Sequence, residues 1–260
     1  MQPYSEKSLT FPNVYYAYSK HLDSLGINAT SFEIEVMVEK LKDWSEYGTV
    51  EDVHKWILKC QTDTEMEVEE IPLDECLDWF VDTERKVIRH KSKDFFEVVG
   101  VRTKSSHSRE IQIGWDQPFI KQIGLDGGIL GLLRTKRNQV PYYLVEAKAE
   151  PGNPQIVLIS PTLQATFANL RKSHGGIEPN FSKKFWLDKD EDNFIFKQWI
   201  PEDGGRLYKK RNLAILKEEE LGFNISLKQN FRWVTLFQLR YFIQNTEHVN
   251  PHIRSILSFL

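Results

Sequence analysis

The sequence predicts an α+β fold, in which a mixed, mostly antiparallel sheet packs with helices behind a helical N-terminal segment. Three observations lead there. From Ile71 onward, short runs rich in β-branched and aromatic residues crowd the middle of the chain. Helix-start patterns lie towards both ends, at Thr30-Ser31-Phe32-Glu33, Thr235-Leu236-Phe237-Gln238 and Asn250-Pro251. Between them, Tyr142 to Asn169 alternates with a period of two and then passes into a helical pattern.

In chain order, residues 1–29 are aromatic and polar without clear periodicity and read as an arm or partner-contacting segment. The Thr30 capping box opens a helix with Phe32, Met37, Leu41 and Trp44 as its stripe, and a second helix follows Thr49 with Val53, Trp56, Ile57 and Cys60 at helical spacing. Thr62 to Glu70 is acidic and serves as the linker, which divides the chain into a segment 1–70 and a unit 71–260. Strands follow at Val87–His90, Phe95–Thr103 and Glu110–Trp115, the last with Ile111, Ile113 and Trp115 alternating as in a half-buried strand. Gly124-Leu125-Asp126-Gly127-Gly128 has neither dinucleotide spacing nor a P-loop lysine and reads as a turn.

The central stretch comes next. Tyr143, Val145, Ala147 and Ala149 share one strand face, while Leu144, Glu146, Lys148 and Glu150 share the other. Such a charged ladder is either a solvated sheet face or the floor of a polar cleft. After the Pro-Gly-Asn turn, Gln155–Ile159 reads as a second strand and Ser160-Pro161 as the start of a helix. On that helix Leu163, Phe167 and Leu170 form the buried stripe and leave Gln164, Thr166 and Asn169 as hydrogen-bonding groups. Phe194–Ile200 is a further strand, turned by Glu202-Asp203-Gly204-Gly205 into a strand from Arg206 to Leu216. No internal repeat is present.

The totals bound the function. A chain of 260 residues, 40% hydrophobic, buries a full core. A net charge of -3 argues against a general nucleic-acid or membrane-surface binder. Two cysteines, Cys60 and Cys76, fit a reducing compartment, and no signal peptide or membrane-length apolar run is seen, so a soluble cytoplasmic protein is expected. The seven histidines show no close pair and no HExxH, which gives a metal site little support. His174, in a His-Gly-Gly turn, is the histidine nearest the central stretch. GxSxG is absent, as is the clustered Arg and Glu box of metal-dependent nucleoside diphosphate hydrolases. In Arg206-Leu207-Tyr208-Lys209-Lys210-Arg211-Asn212, alternation puts Arg206, Tyr208 and Lys210 on one face and Lys209 and Arg211 on the other, which suits either a pyrophosphate or a basic solvent face. Trp115 is either an indole plate for a base or sugar, or core.

Taken together, Trp115-Asp116-Gln117-Pro118, Glu146 through Asn153, Ser160 through Thr166, Gly204 through Asn212 and Asn230 through Leu236 resemble the NDP-hexose 2,3-dehydratase family, over about Ile71 to Leu260. The resemblance implies a Nudix-like fold without the Nudix metal box, and a reaction on dTDP-4-keto-6-deoxyglucose. Members carry two such units in tandem where this sequence contains one, so a homodimer is expected as the substitute. Leu207 departs from the family pattern, which has an aromatic residue there.

In the chemistry so implied, the C4 ketone acidifies the C3 proton, a base removes it, and the C2 hydroxyl leaves. The resulting enol passes to a 3,4-diketo sugar, with no cofactor and no metal required. The protein supplies a base, an acid for the departing hydroxide, and a donor to the enolate. Glu146 and Glu150 are the candidates for base or acid, Lys148 holds one carboxylate ionised, and Tyr208 or Lys148 steadies the enolate oxygen. Arg206, Lys210 and Arg211 would hold the diphosphate, with Gln164, Thr166, Asn169, His174 and Trp115 around sugar and base. Two other readings are a nucleotide-sugar-binding module that supports a catalytic partner, and a Nudix-like pyrophosphohydrolase.

Overall fold

The computed structural model describes residues 9–93, 95–104, 113–124, 127–171, 177–186, 193–220 and 227–260. The chain opens with α1 (Phe11–Ser24), α2 (Ser31–Glu39) and α3 (Val50–Thr62), followed by β1 (Trp79–Asp82), β2 (Val87–His90), β3 (Phe96–Thr103) and β4 (Trp115–Gln122). Next come β5 (Gly128–Arg137), β6 (Val140–Ala149), β7 (Val157–Ser160), β8 (Leu163–Thr166), α4 (Phe167–Leu170) and α5 (Ser182–Trp186). The chain ends with β9 (Phe194–Pro201), β10 (Arg211–Glu218), β11 (Phe231–Val234), α6 (Leu236–Asn245) and α7 (Pro251–Leu257). The α+β class and the mixed, mostly antiparallel sheet are as predicted.

The capping signals hold. Thr30, Thr49 and Thr235 each close a full capping box, with Glu33, Asp52 and Gln238, and Asn250 caps α7. The faces of α2 differ from expectation. The helix stops at Glu39 and buries Ile34, Val36 and Val38, leaving Met37 and Leu41 exposed. Trp44 reaches the core from beyond the helix, where its indole N–H donates to the Val38 carbonyl at 2.7 Å. The segment read as an arm contains α1, whose Phe11 packs edge-on against Trp44 at 5.6 Å. On α3, Val53 and Ile57 are buried and Trp56 and Cys60 pack beside them, as the spacing predicted.

Strands β1 to β4 form one antiparallel sheet. Ile113 is fully exposed, so the predicted alternation towards Trp115 fails there, and Ile111 lies outside the described residues. The larger sheet runs β11-β6-β5-β10-β9, with β10 parallel to β5. Gly127 and Gly128 make the start of β5 possible, because a Cβ at either would collide with the carbonyl oxygen of Arg211 or of Ala165. On one face of this sheet Tyr143, Val145 and Ala147 pack with α3, α6 and α7; on the other, Tyr142 and Leu144 pack with Phe11, Trp44, Phe167 and Phe231.

Strands β5 and β6 pair only as far as Leu133 and Leu144, then part. β8 continues the pairing of β5, and β7 that of β6. The corner between them is Pro161-Thr162. The Thr162 hydroxyl receives the Leu133 N–H at 2.9 Å and donates to the Leu144 carbonyl, so it stands in for the missing rung of the ladder. Ser160-Pro161 therefore opens no helix. Leu163 and Ala165 are buried in alternation on β8, and the helix begins only at Phe167, capped by Thr166.

Arg134 of β5 is 1% exposed and donates to Glu35 at 2.7 Å and Glu39 at 2.9 Å, both on α2, and to Glu218 of β10. Its Nε also donates to the Tyr143 hydroxyl at 3.3 Å. Truncation of a buried ion cluster on one side leaves uncompensated charge, so Arg134→Met is expected to lower unfolding free energy by about 3–5 kcal/mol in a denaturant titration. Thr162→Val strands a buried donor and acceptor and is expected to cost roughly 1–3 kcal/mol by the same measurement, with Thr162→Ser costing less.

Candidate active site

The charged ladder of β6 points away from the α3 side of the sheet, on the face shared with Leu144. Because β7 and not β5 runs beside this end of β6, Glu146 stands opposite Ser160 and Lys148 opposite Leu158. On its other edge Glu146 pairs with Phe231 of β11. The ladder is half-buried, which decides against a solvated face.

Each charge has fixed partners. Asn230, just before β11, donates its amide to Glu146 at 3.1 Å. Lys148 donates to the Gln164 carbonyl at 2.7 Å, and its ammonium lies 3.9 Å from Glu150. The Gln164 amide donates to Glu150 at 2.8 Å and its oxygen accepts from Asn250 at 2.8 Å. Asn250 also donates to the Ser160 hydroxyl at 2.8 Å. One network thus ties β6, β8 and the start of α7 together. Burial pushes the Glu146 carboxyl above its ordinary range, with Glu150 adding to the rise, while Lys148, the Asn230 amide and Lys228 oppose it.

A groove of about 530 Å³ borders the end of β6 and takes in both strand faces, Glu146 and Lys148 from one and Ala147 and Ala149 from the other, beside Cys60 and Asn230. A smaller cavity of about 170 Å³ lies between the two sheets, lined by Phe95, Phe96, Gln122, Thr166, Asn169 and Lys210. Lys210 also belongs to the surroundings of His252, with Lys148, Glu150 and Glu202. His252 and Glu202 face each other at 3.6 Å.

The structure therefore joins Lys148, Glu150 and Gln164 in one network, sets Glu146 beside them with Asn230 as its hydrogen-bond partner, and gathers Thr166, Asn169 and Lys210 around one cavity. It does not build the predicted cationic strand face. Residues 202–210 are a turn, closed by the Glu202 N–H donating to the Lys210 carbonyl at 3.0 Å, and β10 starts only at Arg211. The cause is non-local: backbone bonds from Ile120 to Arg206 and from Tyr208 to Ile120 hold the turn against β4. Arg206 is 83% exposed and pairs with Asp203, Tyr208 meets Phe119 edge-on, and Arg211 stacks on Trp199. Trp115 donates to Gln117, which donates to the Gly205 carbonyl. Seven residues of strand separate Trp115 from Gln122, roughly 23 Å at about 3.3 Å per residue, so the indole does not reach the small cavity. His174 lies outside the described residues. Asn230, Asn250, Glu202 and His252 were missed. Asn250-Pro251 marked only a helix start and Glu202 only a turn, and neither pattern announces Ser160 and Gln164, 90 and 86 residues before Asn250, or His252, well beyond Glu202.

Residues 50–260 match the family model for NDP-hexose 2,3-dehydratase. The chain belongs to the NDP-hexose 2,3-dehydratase family. Among this family's members, a dTDP-4-dehydro-6-deoxy-alpha-D-glucopyranose 2,3-dehydratase of Amycolatopsis orientalis is 32% identical over 213 residues, covering 81% of this chain and 44% of that protein. One of the same name from Saccharopolyspora spinosa is 29% identical over 207 residues, covering 80% and 41%. The chain spans less than half the length of these curated relatives. Among solved structures, C. elegans Ap4A hydrolase aligns with a TM-score of 0.29 at 13% identity, over 52% of this chain and 98% of that one. The NUDIX domain of Shewanella oneidensis NrtR, complexed with ADP ribose, gives 0.29 at 10% identity, over 53% and 88%. Scores that low carry no conclusion about this family's ligand or reaction. No helix among the described residues is long and apolar enough to cross a membrane.

A raised folded-state carboxyl pKa means that the folded protein binds the Glu146 proton more tightly than the unfolded chain does. The charged form therefore destabilises the fold above that pKa, and the cost disappears on acidification. Glu146→Gln is expected to raise the melting temperature at pH 8, with the gain shrinking as pH falls and absent below the ordinary value of 4.5. Thermal melts across that range check it.

Proposed function

We propose that the chain acts as a 2,3-dehydratase unit on a dTDP-linked 4-keto-6-deoxy sugar, removing the C2 hydroxyl to give a 3,4-diketo-2,6-dideoxy product. The observation that carries this reading is the half-buried Glu146-Lys148-Glu150 ladder, in which Lys148 and Glu150 share one network with Gln164 and Glu146 stands beside them, in a chain of this family. Elimination next to a ketone asks for a proton acceptor, a proton donor and a cation near the enolate within one site. Burial favours the protonated form of Glu146, which suits the donor to the leaving hydroxide. Glu150, held as a hydrogen-bond acceptor beside Lys148, takes the C3 proton, and Lys148 faces the enolate oxygen. Lys210, with Thr166 and Asn169 in the small cavity, meets the anionic part of the substrate.

A second reading is a unit that binds a nucleotide sugar beside a separate catalytic unit; the chain spans less than half the length of the curated relatives it matches. A homodimer would supply the second unit, and the two unpaired cysteines fit a reducing, cytoplasmic setting.

Incubating the purified chain alone with dTDP-4-keto-6-deoxyglucose separates these readings, with mass spectrometry following loss of the C2 oxygen. Turnover is expected, with Glu146→Gln and Glu150→Gln each slowing it by about a hundredfold to ten-thousandfold. Binding without turnover favours the module, and full turnover in both variants removes the assignment.

A further inference from the structure

The elimination proposed above, on which this inference rests, needs three proton transfers. One proton leaves C3, a second joins the departing hydroxide, and the remaining 3-hydroxy-2-ene must shift a third from O3 to C2 to become the diketone. Glu150 and Glu146 serve the first two. The geometry points to His252 as the carrier of the third, oriented for it by Glu202.

His252 lies in the first turn of α7, two residues beyond the Asn250 that anchors the ladder network. Its Nδ1 is 3.6 Å from a Glu202 oxygen, and that same oxygen accepts the side-chain amide of Asn212. Both side chains are largely shielded, at 26% and 18% exposure. The charged groups around the ring come from two directions, Lys148 and Glu150 from the end of β6, and Glu202 and Lys210 from the 202–210 turn. Burial holds the imidazole pKa below its usual value, helped by Lys210 and Lys148 and opposed by Glu202 and Glu150. Burial thus favours the neutral ring. An Nδ1 proton turned towards Glu202, 3.6 Å away, would leave Nε2 as the basic nitrogen.

The step balances on that one ring. The O3–H bond breaks onto Nε2 and leaves its electron pair on O3. That pair then closes the C3 carbonyl as the C2=C3 pair takes the proton from the imidazolium and forms the C2–H bond. The histidine ends neutral, as it began, and the Glu202 carboxylate stabilises the imidazolium formed in between.

The test is to run the full chain with dTDP-4-keto-6-deoxyglucose in deuterium oxide, quench early with borohydride, and read the face of C2 deuteration by NMR. The wild type is expected to deuterate one face, whereas His252→Gln, confirmed as folded by circular dichroism, loses that selectivity. Should His252→Gln fail to fold, the orienting pair decides, with Glu202→Asp keeping the selectivity and Glu202→Gln losing it. Undiminished selectivity in the folded His252→Gln variant, or in Glu202→Gln where that variant does not fold, overturns the role of His252. So does a wild type that deuterates both faces. A wild type that retains its C2 oxygen overturns the elimination itself, and so is told apart.

Discussion

The parting of β5 and β6 at the Leu133–Leu144 pair is the constraint from which the site follows. Up to that pair the two strands satisfy each other; beyond it each needs a new neighbour. The Thr162 hydroxyl terminates the ladder on both sides at once and lets β7 and β8 fill the wedge. Glu146 and Lys148 therefore stand beside β7, and Glu150 comes within reach of Gln164 on β8. Had β5 continued along β6 in the same register, Glu146 and Lys148 would stand opposite Gly131 and Ile129, with no polar side chain to meet their charges.

Two of the charge clusters among the described residues have different outcomes. Around Arg134 two glutamates of α2, Glu218 and a tyrosine hydroxyl surround one guanidinium, and the cluster joins α2, β5, β6 and β10. At the end of β6 one lysine lies between two glutamates, and compensation is incomplete, so Glu146 resists ionisation. The first arrangement holds the fold together. The second leaves a proton available where a reaction of this class would use one.

Much of this was legible in the residues, and the errors have physical causes. The two faces of β6 followed from alternation alone, because both faces are constrained by packing. The helix starts at Thr30, Thr49, Thr235 and Asn250 were legible because a capping box is closed by residues three apart. Ser160-Pro161 carried the same local signature, yet Thr162 is engaged with backbone groups 18 and 29 residues away, and the corner prevails over the cap. The basic strand from Arg206 failed for a similar reason: Ile120 captures the backbone on either side of Leu207, and Lys209 takes a φ of 53° that no strand admits. Asn250 and His252 gain their partners only when α7 returns to the end of β6.

The Arg134 cluster also bears on how the protein is to be dissected. The family match begins at residue 50, after α2, so the shared region contains the guanidinium but not Glu35 or Glu39. An excised fragment trimmed to that boundary would keep a cation deep in its sheet with only Glu218 left to neutralise it. The fragment's behaviour would then report a wound in the core as much as any property of the site.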